Sequence, residues 1–202
     1  MKLPEHVVAE ATSASGAIVT FEVTARDRMD RTPTVVCTPA SGSQFPIGRT
    51  AVSCTATDDA GNVGKGKFLV SVRDTTPPVI TRITPTIGAV SAHMFPLTLA
   101  VTVTDAVDAA PACRITHVDG DERGPHWRWD DEDEGRWTRT GPLSLSLQAD
   151  DNDGRPLIYT IVVKCRDDEH NAGSETIRVT APVDPASKKG KTEKNDRKKG
   201  DR

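Results

Sequence analysis

Cys54-Thr-Ala-Thr-Asp58-Asp-Ala-Gly-Asn62 is matched more than a hundred residues later by Cys165-Arg-Asp167-Asp-Glu-His-Asn171. In each place an alternating strand ends near a cysteine, an Asp-x-x-x-Asn turn follows, and a second alternating strand leads away, over residues 64–72 and 172–181. Each copy has a further cysteine upstream, Cys37 in one case and Cys113 in the other. A chain that repeats a strand–turn–strand ending is built from two similar modules in series. Since all three parts of the repeated element are strand or turn, the modules belong to the all-β class.

The 202 residues suffice for one large domain or two ordinary ones. Hydrophobic residues make up 36% and aromatic residues 4%, which suits thin sandwiches filled by Val, Ile, Leu and Thr. Fourteen Pro and fifteen Gly, spread along the chain, predict many turns and argue against long helices. No apolar run approaches the roughly 18 residues of a membrane span, so no transmembrane segment is expected. Met1-Lys-Leu-Pro-Glu-His lacks the apolar centre of a signal peptide.

Side chains alternate along a strand, so parity shows which way each cysteine points. Cys165 shares a face with Leu157, Tyr159, Ile161 and Val163. Cys113 goes with Ile115, Cys54 with Val52 and Cys37 with Val35. All four point toward cores. Of the three connectivities open to four cysteines, Cys37–Cys54 and Cys113–Cys165 are the local ones. In the chain-entropy model, loops of these lengths give roughly 3 and 4 kcal/mol. In-facing pairs in an all-β chain favour an oxidising compartment over four buried thiols in the cytosol.

Along the first module the alternation predicts an edge strand over residues 6–10. A strand over 17–25 follows, with Val19, Phe21 and Val23 inward, and further strands cover 34–38, 50–57 and 65–72. The segment 41–48 reads as a loop whose Phe45 and Ile47 cap the sandwich edge. Asp74-Thr-Thr-Pro77-Pro78 is a short stiff joint, because proline fixes φ and extends the residue before it. The second module has predicted strands over 79–84, 97–104, 112–118, 143–148, 157–165 and 172–181. A polar excursion over 119–135 carries five successive acids from Asp130 to Glu134. The boundaries are therefore 1–73 for the first sandwich, 74–78 for the linker, 79–184 for the second sandwich and 185–202 for a tail. That tail holds eight cations against three acids and no apolar residue beyond alanine, so it is expected to be disordered and basic. Its +5, set against a net charge of −3, leaves the rest of the chain at −8. Interspersed acids and absent aromatics make the tail a solubilising terminus with no specific nucleic-acid partner.

Glu10-Ala-Thr-Ser-Ala-Ser-Gly-Ala17, Cys37-Thr-Pro-Ala-Ser-Gly-Ser-x-Phe-Pro-x-Gly48 and Cys54-Thr-Ala-Thr-Asp-x-Ala-Gly-Asn62 occur in this order in the first 73 residues. Together they resemble a hyalin-repeat (HYR) domain of bacterial type. Residues 79–183 resemble the immunoglobulin-like module that often closes such chains. That likeness rests on Thr104-Asp-Ala-x-Asp-Ala-Ala-Pro-Ala-Cys-Arg-Ile115, Trp137-x-x-Thr-Gly-Pro-Leu143 and Tyr159-Thr-Ile-Val-Val-x-Cys165. It departs from the pattern at Val107, where such modules often carry a further cysteine, which leaves Cys113 no local rival for Cys165. The resemblance implies two immunoglobulin-like β-sandwiches in tandem, extracellular or at the cell surface, with a role in adhesion or matrix contact. The chain is expected to be part of a longer array, with the strand that should precede Leu3 lying upstream.

Asp58 with Asn62, and Asp167 with Asn171, have the residue types that hold a turn through side chain to backbone hydrogen bonds. The competing reading is calcium, with Asp58, Asp59, Asp167 and Asp168 as donors and Asp105 and Asp108 nearby. Six to eight oxygens are needed and neither turn offers a full set, so the turn reading is preferred and no cofactor is expected. Asp150–Gly154 has the superficial look of an EF-hand loop but lacks carboxylates at its first and last positions, and reads as a hairpin turn. Trp127, Arg128 and Trp129, in the polar excursion, are candidate ligand contacts; the alternative is that the two rings fold over the sandwich end as a lid. No nucleophile elbow, His-Glu-x-x-His or phosphate-cradling loop occurs, and His6, His93, His117, His126 and His170 lack metal-ligand spacing. The expectation is a non-enzymatic extracellular spacer and interaction module whose partner is an extracellular protein or glycan. The alternative is a polysaccharide-binding accessory region of a secreted hydrolase whose catalytic domain lies upstream.

Overall fold

A computed structural model describes residues 1–29, 32–120, 137–149 and 157–184, and every regular element among them is a β-strand. The described chain divides into two compact units. The first is Met1–Pro77 with the short segment Asp105–Ala109, and the second is Pro78–Thr104 with the chain from Ala110 onward. Each is built as an all-β sandwich.

The first unit contains β1 (His6–Glu10), β2 (Ala17–Val19), β3 (Thr34–Thr38), β4 (Ser43–Phe45), β5 (Gly48–Thr57) and β6 (Val63–Arg73). A four-stranded sheet has the order β1-β6-β5-β3, and β2 pairs with β4 in a second, small sheet. β1 runs parallel to β6 at the sheet edge, and the β3–β5 and β5–β6 pairs are antiparallel. The period-two pattern of β5 and β6 puts Val52, Cys54, Phe68, Val70 and Val72 on one face, where they are buried with Phe45, Val19, Ala11 and Ala17. Phe21 meets Phe45 and Phe68 edge-on, at centroid distances of 6.3 and 4.9 Å. At these separations T-shaped pairs add to what area burial alone supplies.

Two expectations for this unit are corrected. The strand over 17–25 stops at Val19. Beyond it the Ser41 hydroxyl takes the backbone of Phe21, accepting from its N–H and donating to its carbonyl, both at 2.8 Å, where ladder partners would have stood. Phe21 and Val23 nevertheless pack on the core, so the inward parity holds without the strand. The loop over 41–48 contains β4, and Phe45 is a fully buried core residue and no edge cap. The approach that seats it requires glycine at position 16, where a Cβ would lie 1.9 Å from the Phe45 carbonyl oxygen and φ is +103°.

The second unit contains β7 (Val79–Ile87), β8 (Met94–Thr104), β9 (Ala112–Gly120), β10 (Trp137–Gly141), β11 (Ser144–Gln148), β12 (Ile158–Arg166) and β13 (Ala172–Thr180). A four-stranded sheet β10-β11-β8-β7 faces a three-stranded sheet β13-β12-β9. Pro85 is tolerated inside β7 because β7 is an edge strand. Between the sheets lie Phe95, Leu97, Leu99, Ile115, Val118, Leu145, Leu147, Tyr159, Ile161, Val163 and Cys165, with Trp137 packed against them half-buried. The Tyr159 hydroxyl donates to the Gln148 carbonyl at 2.9 Å, so this buried ring leaves no polar atom without a partner.

Candidate functional site

The repeated element is formed in both units. Cys37 and Cys54 are directly opposite on β3 and β5, and Cys113 and Cys165 directly opposite on β9 and β12. Both pairs are disulfides with Cα atoms 4.0 Å apart. Each bond therefore joins neighbouring strands of one sheet and does not tie sheet to sheet. Cys54 and Cys165 are buried in the cores, and Cys37 and Cys113 pack against those cores from the adjoining strand.

The turn begins four residues after Cys54 and two residues after Cys165. In the first unit the Asp58 N–H donates to the Asn62 carbonyl at 3.1 Å, and Gly61 N–H donates back to the Asp58 carbonyl at 3.0 Å. The Asp58 carboxylate then accepts from the N–H groups of Ala60 and Asn62 on one oxygen and from the Asn62 amide on the other. The Asn62 amide and then the Asn62 N–H hold this carboxyl below its ordinary range. In the second unit Asp167 and Asn171 reproduce the same bonds, the carboxylate accepting from Asn171 N–H at 2.8 Å and from its amide at 2.9 Å. The αL position is occupied by Gly61 at φ +83° in one turn and by His170 at φ +75° in the other. Asp and Asn are thus held as a mutual bracket that fixes the exit direction of the next strand.

The calcium candidates separate accordingly. Both oxygens of Asp58, and both of Asp167, are engaged inside their own turns. Among the described residues, Asp58, Asp59 and Asp168 belong to no set of three side chains close enough to share an ion. In the first unit the carboxylates of Asp74 and Asp105 approach within 4.8 Å. One Asp105 oxygen there accepts from the N–H groups of Val107 and Asp108, and one Asp74 oxygen accepts from Thr76 N–H.

Sequence reasoning missed the clamp on the joint. Glu10, at the end of β1, accepts from the Thr75 N–H and hydroxyl at 2.8 and 2.7 Å and from the Thr76 hydroxyl at 2.8 Å. The Thr75 hydroxyl and N–H, then Thr76, lower the Glu10 pKa. Half of the supposed linker is thereby fastened to the first unit. A signal existed in the two threonines that follow Asp74, but their partner lies 65 residues away and local spacing cannot find it. In the same unit an open groove of about 330 Å³ is lined by Phe21, Val23, Val35, Val36, Cys37, Ala40 and Ser41, and no titratable side chain faces it. Trp127, Arg128, Trp129 and the turn at 150–154 lie outside the described residues, as does the basic tail. No helix among the described residues is long and apolar enough to cross a membrane.

Residues 2–72 match the family described as HYR domain. Hyalin of Lytechinus variegatus is 46% identical over 76 residues, which is 36% of this chain and 14% of that protein. Hyalin of Strongylocentrotus purpuratus is 39% identical over 66 residues, 32% of this chain and 6% of that protein. The matched region spans less than a sixth of either relative. Among solved structures, human protocadherin-24 EC1-2 is similar at a TM-score of 0.35 and 14% identity, over 88% of this chain and 95% of that one. The similarity to the HYR domain is thus confined to residues 2–72, which correspond to the first unit.

Proposed function

We propose that the chain is a non-enzymatic spacer and interaction module of an extracellular or cell-surface protein, and that its role is adhesive. The observation that carries this reading is the pairing of an HYR domain with a second sandwich that has its own disulfide. Disulfides persist in oxidising compartments, and here each is set into the core of its unit. The described acids and the two turns serve the scaffold: Asp58 and Asp167 hold turns and Glu10 holds the joint. Trp127, Arg128 and Trp129 are the candidate contact residues, since tryptophan and arginine are enriched in binding hot spots.

The test is a binding screen of the intact chain against immobilised extracellular matrix proteins and glycans, followed by Trp127→Ala/Trp129→Ala. Capture that the double variant abolishes, with thermal stability unchanged, supports the contact role. A loss of several kcal/mol of stability in the double variant would make both rings part of a lid.

A further inference from the structure

The outward faces of the two disulfide-bearing sheets share a charge pattern that packing does not require. In the second unit Tyr159, Ile161, Val163 and Cys165 of β12 point inward, so Thr160, Val162, Lys164 and Arg166 point outward. The register sets Lys164 directly opposite Arg114 on β9, with Arg166 opposite Ala112 in the next outward row and Arg178 of β13 opposite Thr160. Like charges directly opposite each other destabilise a strand pair. The one acid on this face is Asp119, two outward rows away from Lys164. Residues 78–184 hold ten Lys and Arg against eighteen acids, yet no carboxylate stands beside the Arg114–Lys164 pair. The single ion pair among the described residues, His93 with Asp184, is elsewhere.

The first unit repeats the arrangement. Phe68, Val70 and Val72 of β6 are buried, which leaves Lys65, Lys67, Leu69 and Arg73 exposed on the outer face, while Ser71 of the same row is buried against His6. Arg49 is opposite Ser71, and His6 is opposite Leu69. Lys65 adjoins Thr55 and then Val36, and Lys67 adjoins Ser53 and then Thr38, so a hydroxyl-bearing surface flanks the cations. The one acid of this face, Glu10, is opposite Arg73 and accepts from Thr75 and Thr76, which leaves Lys65 and Lys67 without a facing carboxylate.

We propose that these two faces dock a linear polyanionic polysaccharide, whose sulfate or carboxylate groups meet the lysines and arginines while sugar hydroxyls meet the Ser and Thr rows. The proposal rests on the extracellular reading above and names its partner. Charge complementarity selects an anion, and three further features select its class. Lys164 and Arg166 lie on β12, whose backbone groups are paired on both sides by β13 and β9, so a peptide cannot add there as a strand. No Phe, Tyr or Trp stands on either face to stack a base. The charges are strung out, Lys65 and Lys67 about 7 Å apart and Arg73 about 27 Å from Lys65 along β6, which suits a repeating linear polymer better than a small anion.

The experiment measures binding of the full chain to immobilised dextran sulfate, polygalacturonate, neutral dextran and single-stranded DNA at low salt. It compares the native chain with R114Q/K164Q/R166Q and with R49Q/K65Q/K67Q. Three exposed ion pairs together amount to about tenfold in affinity, so each triple variant is expected to bind the charged polysaccharide about tenfold more weakly. The charge-retaining R114K/K164R is expected to bind as the native chain does. The R114Q/K164Q/R166Q chain should also melt no lower than native, because a like-charge contact is relieved. Which polymer is held, the sulfated or the carboxylated, identifies the anion. Unchanged binding in both triple variants would assign capture to the basic tail and overturn the proposal. Equal binding of neutral dextran or of DNA would overturn it as well. A chain that ignores all four polymers but is still retained by matrix protein would remove this inference and leave the adhesive reading standing.

Discussion

The turns Asp58–Asn62 and Asp167–Asn171 have the same hydrogen bonds but different surroundings. Asp58 is part-exposed at the rim of the first unit, whereas Asp167 is only 6% exposed in the second. The first turn places a glycine at the αL position and the second a histidine. The cores differ in the same sense: nine buried residues in the first unit against fifteen in the second. A small sandwich buries a smaller fraction of its surface and depends more on covalent staples. One local grammar therefore serves two energetic regimes, and the differences can be measured.

The largest effect is expected from the disulfides. Removing Cys113–Cys165, which closes 52 residues, should cost about 4 kcal/mol, and removing Cys37–Cys54, which closes 17, about 3 kcal/mol. The smaller loss falls on the smaller core, so calorimetry of the reduced chain should show the first unit melting first. If the second unit melts first, burial is not what separates the two regimes.

Next are the brackets. Asp167→Ala removes a buried carboxylate that holds the Asn171 N–H and amide and should cost about 1–3 kcal/mol, while Asp58→Ala removes the same bonds at a more exposed turn and should cost clearly less. Equal losses by denaturant titration would show that the turn, not its burial, sets the cost.

A smaller effect is expected at the αL residues. Gly61→Ala should destabilise by roughly 1 kcal/mol, because its φ is +83° and nothing crowds the site to offset the strain. His170→Gly should be neutral or slightly stabilising, since what is removed is the same strain together with the ring's 3.0 Å contact to the Asp168 carbonyl.

The smallest is a pH effect confined to the first unit. Glu10 and Asp58 have lowered folded-state pKa values, so their stabilisation is complete above the ordinary carboxylate range and is lost as pH falls through the folded values. Glu10→Gln should flatten the acid limb of the first unit's melting temperature against pH. An unaltered acid limb would remove Glu10 from the account.

Much of the strand pattern was legible because alternation is local. The bounds of β1 and β3 follow from it, and so does the inward face of β8 from Leu97 and Leu99. What escaped depended on partners distant in sequence. β2 ends where Ser41, twenty residues on, captures Phe21, and β4 exists because Ala17 and Val19 are there to pair with Phe45 and Ser43. The Glu10 clamp and the facing of Lys164 by Arg114 likewise appear only once register is known. Parity shows which way a residue points, but not what stands opposite.

The most direct test of the account is non-reducing peptide mapping of chain exported to an oxidising compartment. Two independently stapled extracellular modules predict Cys37–Cys54 and Cys113–Cys165 as the two bonds, with no free thiol. Free cysteines in folded, exported protein, or a bond joining the first pair to the second, would contradict it.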